Sequence, residues 1–412
     1  MSYLQRAEGV LHRIQALAAI SDDAHGITRT FGSAAFMAGS KQVLHWMQEA
    51  GLQVRVDNIG NVRGRWNCGD IKAKTFVIAS HIDTVINAGA FDGPLGVLAA
   101  LDIVTHLLQS AQPVPFNIEV IAFSDEEGVR FHTTFLGSKT VTGSFDHHLH
   151  DKKDAAGITL KEVIGTMGGN TTELYQDVIP PASWQGYFEI HIEQGPVLYD
   201  RNIPVAVVHA IAGQQRIMVT IKGMAGHAGT VPMDKRQDAL CGAAAFILAV
   251  EQWALQHKDA IVATVGYLQV MNAASNVIPG EVTLSLDLRS ANENMLHNAH
   301  TALYTIGVEL CKERQLIFEW QTIQQTKPVD CDPFMSGLLE QSITEAGYDA
   351  IRLVSGAGHD AVPVSDVSPV CMLFVKCYKG ISHHPQENVL LEDIAAALKV
   401  SDQFMLHLIK QP

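Results

Sequence analysis

The chain has 412 residues, 47% hydrophobic and 17% charged, with a formal net charge of −14. That length supplies core for one or two domains, two being the better expectation, and the negative balance excludes nucleic acid and anionic membranes as partners, because either demands a basic face. No apolar run is expected to cross a bilayer, and MSYLQRAEGVLHRIQ lacks the unbroken apolar segment of an export signal, so a cytoplasmic location is expected. Cys68, Cys241, Cys311, Cys331, Cys371 and Cys377 show neither a CxxC pair nor zinc-finger spacing and read as reduced core residues without chemistry.

The first fifty residues read as helical, with Val43, Trp46, Met47 and Ala50 at helical spacing before Gly51. LQVRVDNIGNVRGRW alternates on both sides of Asn-Ile-Gly, a hairpin signal. KTFVIAS is a buried strand, and SHIDTVINAGAFDGPLG after it brings His81 and Asp83 out at the strand's C-terminal edge, where open α/β sheets place ligands. Asp92 follows on a glycine-flanked turn. The apolar-faced helix GVLAALDIVTHLLQ then leads to FNIEVIAFSDEEG, whose strand runs out into Asp125, Glu126 and Glu127, so this β-helix-β unit predicts parallel pairing. Two neighbouring strand ends thus deliver hard carboxylates and an imidazole to one place, a mixture suited to zinc or manganese.

Residues 131–183 read as loop and short helix, and their HHLH cluster (His147, His148, His150) reads as a solvated loop. GYFEIHIEQGPVL restores the strand-end pattern, with His191 and Glu193 on one side by period-two alternation and His191 as a third metal ligand. From Gly213 the order becomes strand, helix, strand, strand, helix, strand, the split ferredoxin-like arrangement. A helix, two strands, the loop KGISHHPQEN with His383 and His384, and a closing helix from Leu391 to Ile409 complete the chain.

SHIDTV, FDGPLG, SDEEGVRF, HIEQG, GHAGTVPM, NVIPG, SGAGHDA and GISHHP, in that order, resemble the motifs of the aminoacylase/carboxypeptidase-type di-metal amidohydrolases. More narrowly they are similar to the branch containing allantoate amidohydrolase and the N-carbamoyl-L-amino acid hydrolases. GAGHDA alone also fits a degenerate dinucleotide fingerprint, but the acidic residue about twenty positions on that would bind a ribose is missing. The resemblance implies an α/β fold: a metallopeptidase-like catalytic domain with a mixed, largely parallel sheet (1–212 and 327–412) and an inserted ferredoxin-like βαββαβ lid and dimerisation domain (213–326).

It further implies two divalent ions per subunit, zinc or manganese, with cobalt and nickel also accepted by such ligands. Asp92 would bridge them, with His81 and His191 completing one and Glu127 and His383 the other. Asp83 would accept the second N–H of His81. Glu126, beside Glu127 but diverging from it, would be the general base. His383 directly follows Ser382, as the family's ligand does; His384, where the family has Ser or Asn, departs from the pattern and has no assigned role. The implied substrate readers are Gln215, Arg216, Asn276, Arg289, Gly358 and His359, with Arg289 forking a carboxylate. A surface salt bridge is the alternative for Arg289, a turn cap for Asn276, and a structural role for His359. His227, on a loop of glycines and alanine, would stabilise an oxyanion from the partner subunit of a homodimer, or else cap a turn in its own chain. The expected reaction is hydrolysis of a small anionic ureido acid. Allantoate is favoured because IAGQQR, ASNVIPG and SGAGHDA resemble its hydrolases more; N-carbamoyl-L-amino acids come next, then a related peptidase or deacylase, then a metal-stabilised binding protein.

Overall fold

The computed structural model describes residues 1–110 and 112–411. Pro412, the last residue of the second expected catalytic segment, lies outside them. Helices α1 (Tyr3–Ala18) and α2 (Ala34–Glu49) come first. Residues 19–33 between them are not helical, which corrects the reading of one helical stretch: Ser21 and Asp23 turn their side chains onto the amides of Asp23 and His25 at 3.0 and 2.9 Å, and such local bonds compete with a helix. The hairpin β1 (Gln53–Val56) and β2 (Val62–Trp66) leads to β3 (Thr75–His81), α3 (Pro94–Gln109) and β4 (Asn117–Phe123). Short helices α4 (Leu136–Thr142) and α5 (Leu160–Thr166) precede β5 (Trp184–Ile192), α6 (Val197–Arg201) and β6 (Val205–Ile211). Then follow β7 (Gly213–Lys222), β8 (Gly226–His227), α7 (Ala239–Gln256), β9 (Val262–Val270), β10 (Val277–Ile278), β11 (Glu281–Ser290), α8 (Glu293–Glu313) and β12 (Ile317–Thr326). The chain closes with β13 (Val329–Asp330), α9 (Pro333–Glu345), β14 (Arg352–Ser355), α10 (Ala361–Val364), β15 (Val370–Val375) and α11 (Leu391–Ile409).

These elements form two compact units: Met1–His209 with Cys331–Leu353 and the residues from His359 on, and Ala210–Asp330 with Val354–Gly358. The large sheet runs β1-β2-β4-β3-β5-β15-β6-β13, with β14 also on β6. It is a mixed sheet whose centre is parallel: β3 pairs parallel with β4, as the crossover predicted, and with β5, and β5 pairs parallel with β15. Every residue of β3 and β4 is buried, as expected of interior parallel strands covered on both faces. Helix α3 lies so close to this centre that a Cβ on Gly96 would collide with the carbonyl oxygen of Ile190. Only glycine permits that approach, while the parallel pairing of β3 with β5 brings their ends to one edge.

The second unit has a four-stranded antiparallel sheet in the order β12-β7-β11-β9. Burial along β11 alternates strictly, with Val282, Leu284, Leu286 and Leu288 turned inward towards Phe246 of α7 and Leu303 of α8. Strand β12 extends to Thr326, beyond the apolar stretch that ends at Trp320. Its second half, QTIQQT, is polar and is held by its ladder to β7 across a register shift at Thr322/Gln324, a pairing that hydrophobic pattern does not encode. Helix α7 has the length and apolar composition to cross a membrane, contrary to the expectation that no such run exists; here Ala239, Gly242, Ala243, Phe246 and Val250 bury its inner face.

In the first unit Arg6 of α1 is 3% exposed and joins three helices. Its Nε donates to Asp102 of α3 at 2.8 Å, and its two terminal nitrogens donate to both carboxylate oxygens of Asp402 on α11, Nη2 at 3.1 Å. Arg6→Met leaves two largely buried carboxylates unpaired and is expected to cost about 3–5 kcal/mol, while adding Asp102→Asn and Asp402→Asn should recover most of it. Urea midpoints measured at one fixed metal concentration check this; a single variant as stable as wild type would contradict it.

Candidate metal and active site

His81 ends β3 and His191 is the penultimate residue of β5, so the two parallel strands present their imidazoles at the same edge, ring centroids 5.8 Å apart. Asp92 reaches this edge on the turn before α3. Gly93 has φ 82°, and a Cβ there would lie 2.5 Å from the His81 ring, so the residue after Asp92 must be glycine on both conformational and steric grounds. The turn is gripped from the far end of the chain, where Glu387 Oε1 accepts from the amides of Phe91 and Asp92 at 2.7 and 3.0 Å.

The two oxygens of Asp92 face different partners. Oδ1 lies 3.1 Å from His191 Nε2 and 3.7 Å from His81 Nε2. Oδ2 lies 3.1 Å from His383 Nε2, which is also 3.2 Å from Glu127 Oε1. The ligand atoms of His81, Asp92 and His191 lie within 4.8 Å of one another, as do those of Asp92, Glu127 and His383, and those of His81, Glu126 and Glu127. The five residues expected to bind metal therefore gather around the Asp92 carboxylate, with the expected base, Glu126, grouped with His81 and Glu127.

The donor chemistry fits divalent cations. Nδ1 of His191 faces the Ile192 carbonyl oxygen at 2.9 Å, and Nδ1 of His81 faces that of Asp83 at 3.1 Å. A carbonyl only accepts, so both Nδ1 atoms carry the proton, and the Nε2 of each neutral ring presents a lone pair towards an Asp92 oxygen. Two lone pairs are stable face to face only with a cation between them. Without metal that cation is a proton: although burial opposes ionisation, His191, His383 and His81 hold the Asp92 carboxyl well below its usual range, and Asp92 and Glu127 push His383 up to about 10.

Asp83 stands beside His81 Nδ1 at 3.5 Å, farther than its own backbone oxygen. Its carboxylate also accepts from the amides of Glu126 and Glu127 at 3.0 and 3.1 Å, which orients that pair. Glu126 is 8% exposed, and burial pushes its carboxyl well above the ordinary range even against the pull of His81. Glu193, expected on the same side as His191, instead accepts from the amides of Val197 and Leu198 at 2.8 and 2.7 Å and starts α6. His384 folds its Nδ1 back to accept from the Gln386 amide at 3.1 Å, making it a turn cap. His359 is buried with its ring 4.5 Å from that of His191. His147 and His150 pack edge-on at 5.3 Å on a short 3₁₀ turn and join none of the metal-sized groups among the described residues.

Three contributors carried no signal in the sequence reading. Gln194 Nε2 and Ser382 Oγ donate to Asp92 Oδ2 at 2.8 and 2.6 Å, and Glu387 holds the turn. Each lies in a quoted motif or loop, yet a polar residue among other polar residues shows no period to single it out.

The other expected residues lie in the second unit. Gln215 and Arg216 are neighbours in β7 and therefore point to opposite faces: Gln215 is buried and meets His300 Nδ1 at 2.9 Å, while Arg216 is exposed. The Arg289 fork is engaged by Asp287, at 2.9 Å from Nε and 3.2 Å from Nη2. Its Nη1 donates to Gly356 in the loop that also holds Gly358, at 2.8 Å. His227 sits opposite Val277 on a two-residue ribbon, its Nδ1 accepting from the Gly229 amide at 3.0 Å, and the Asn276 carbonyl accepts from Ala228 at 2.9 Å.

The sequence pattern of peptidase family M20/M25/M40 matches residues 77–407. An allantoate deiminase of Arabidopsis thaliana is 38% identical, with 93% of this chain and 79% of the relative aligned. An N-carbamoyl-L-amino acid amidohydrolase of Geobacillus stearothermophilus is 36% identical over 91% of each. Among solved structures, an amidase of the hydantoinase/carbamoylase family from Burkholderia multivorans superposes with a TM-score of 0.90 at 32% identity, covering 98% of both chains. With the family pattern spanning most of its length and relatives this similar over nearly all of it, the chain belongs to peptidase family M20/M25/M40.

Proposed function

We propose that this chain is a metal-dependent amidohydrolase of linear ureido acids, with allantoate as its first substrate and N-carbamoyl-L-amino acids as the second reading, favoured by the relative from Geobacillus stearothermophilus. The observation that carries it is the single carboxylate of Asp92 shared between the His81/His191 pair and the Glu127/His383 pair. Two divalent ions held there, zinc or manganese, would polarise the scissile carbonyl and lower the pKa of attacking water.

Glu126 takes the proton of that water. Its buried carboxyl, pushed up in pKa, is a stronger base than an exposed one, and the Asp83 grip on its amide fixes where it stands. As the new C–O bond forms and the C–N bond breaks, Glu126 returns the proton to the leaving nitrogen. The β-α-β-β-α-β order of the second unit and its sheet covered on one face support its reading as a ferredoxin-like lid and dimerisation domain hinged near Ala212 and Lys327. On that unit Arg289 takes the substrate carboxylate and Asn276 and Arg216 serve the remaining polar groups, while Gly358 there and His359 of the first unit line the pocket; Gln215, on the opposite face of β7 against His300, is given no substrate contact. His227 serves the oxyanion in the partner's site of a homodimer.

Glu126→Gln is expected to keep its metal and lose turnover by about two to four orders of magnitude, the range a positioned acid–base group contributes, whereas Glu127→Gln should lose metal. Elemental analysis beside rates on allantoate checks it, and equal metal loss in both variants would show the roles misassigned. Mixing inactive His227→Ala with inactive Glu126→Gln should regain up to about half of the wild-type activity per mixed dimer, because one site then carries both lesions and the other neither. No recovery after proven subunit exchange would remove His227 from a shared site.

A further inference from the structure

Residues 287 and 289 of β11 lie on the open face of the four-stranded sheet, the face away from α7 and α8, because side chains two apart share a side. Asp287 stands at the centre of a cluster on this face. Its Oδ1 accepts from Arg289 Nε at 2.9 Å, and its Oδ2 accepts from Arg289 Nη2 at 3.2 Å, Arg216 Nε at 3.3 Å and Gln214 Nε2 at 2.5 Å. Arg216, Asp287 and Arg289 of this cluster line a cleft of about 580 Å³ that also includes Met218, Val262 and Tyr267.

A guanidinium has five N–H donors. On Arg289, Asp287 takes the Nε donor and one on Nη2, and the Gly356 carbonyl takes one on Nη1. One N–H on each terminal nitrogen is left uncommitted among the described residues, the number a second carboxylate engages in a bidentate contact. Charge points the same way: two guanidiniums, of Arg216 and Arg289, against one carboxylate leave one net positive charge in the cluster. Although burial pushes the other way, Arg289 holds the Asp287 carboxyl below its usual range, so the pairing persists at neutral pH.

We propose that Asp287 is the positioning residue that aims Arg289 and sets the site's preference for a substrate with one carboxylate. This rests on the reading that Arg289 binds the substrate carboxylate. Holding the guanidinium by its side edge fixes the rotamer before substrate arrives, which removes an ordering cost from binding, and cancelling one of the two positive charges matches the cluster to a monoanion.

The test compares wild type, Asp287→Asn and Arg289→Lys as metal-loaded enzymes on allantoate and on its neutral primary amide. With Asp287→Asn, KM for allantoate should rise about tenfold with kcat changed less than about threefold, because an interaction equal in ground and transition states is weakened. The rate on the amide, which has no carboxylate to be read, should stay at the wild-type value. Malonate, a dianion, should compete several-fold better against this variant than against wild type, because one negative charge has left the cluster. Equal losses on allantoate and amide would reduce Asp287 to a structural role and overturn the proposal, as would an unchanged KM for allantoate while Arg289→Lys raises it. An unchanged KM in Arg289→Lys would instead overturn the underlying reading of Arg289.

Discussion

One carboxylate facing three imidazoles is the constraint on which the rest of this structure depends. Asp92, His81, His191 and Glu127 all lie at or beyond the C-terminal ends of parallel strands or on the turn that follows, and His383 comes from a loop near the end of the chain. Such a cluster is unfavourable unless cations fill it, since buried charges must be paired. The fold therefore has to hold the ligands rigidly before any ion arrives. Backbone groups do much of this: carbonyls fix the tautomers of His81 and His191, and carboxylates from elsewhere grip the amides of Asp92, Glu126 and Glu127.

Those outer carboxylates, Asp83 and Glu387, do more than hold. Asp83 adds negative charge beside His81, which favours cations over an empty cluster and, against the opposing effect of burial, raises the basicity of that imidazole, and Glu387 adds its charge once it ionises. Burial pushes Glu387 up to about 7, consistent with its place beside the charge of Asp92. The second unit follows the same rule at lower burial: Asp287 partly cancels two guanidiniums and leaves capacity for one anion. On the proposed reading, both centres carry an unbalanced charge that a ligand would complete, a cation in the first and a carboxylate in the second.

Much of this was legible in the sequence where hydrophobic pattern and chemistry coincide. The buried strands β3 and β4 are largely apolar runs that stop at His81 and Ser124, and β5 alternates so that Glu189, His191 and Glu193 share one side, so the polar residues at their ends had to emerge at a sheet edge. The alternation of β7 and β11 likewise announced a sheet covered on one face. Residues whose role depends on distant closure were not legible: Gln194, Ser382 and Glu387 meet Asp92 across gaps of 102, 290 and 295 residues that no local period reports. Two facts were present but unread. Period two separates Gln215 from Arg216 onto opposite faces, and the same period sets Asp287 beside Arg289, where it occupies the fork expected for substrate. The polar half of β12 eluded the reading because ladder bonds alone secure it.

The central claim is that Asp92 is shared by two metal ions. The most direct measurement is the metal stoichiometry of stripped protein reconstituted with manganese or zinc, for wild type and Asp92→Asn, by elemental analysis after gel filtration. The account predicts two ions per chain for wild type, and in Asp92→Asn, where one shared oxygen becomes an amide that cannot bridge as a carboxylate does, the loss of tight binding at both positions. Retention of one full-strength ion in Asp92→Asn, or a single ion per chain at saturation in wild type, would contradict it.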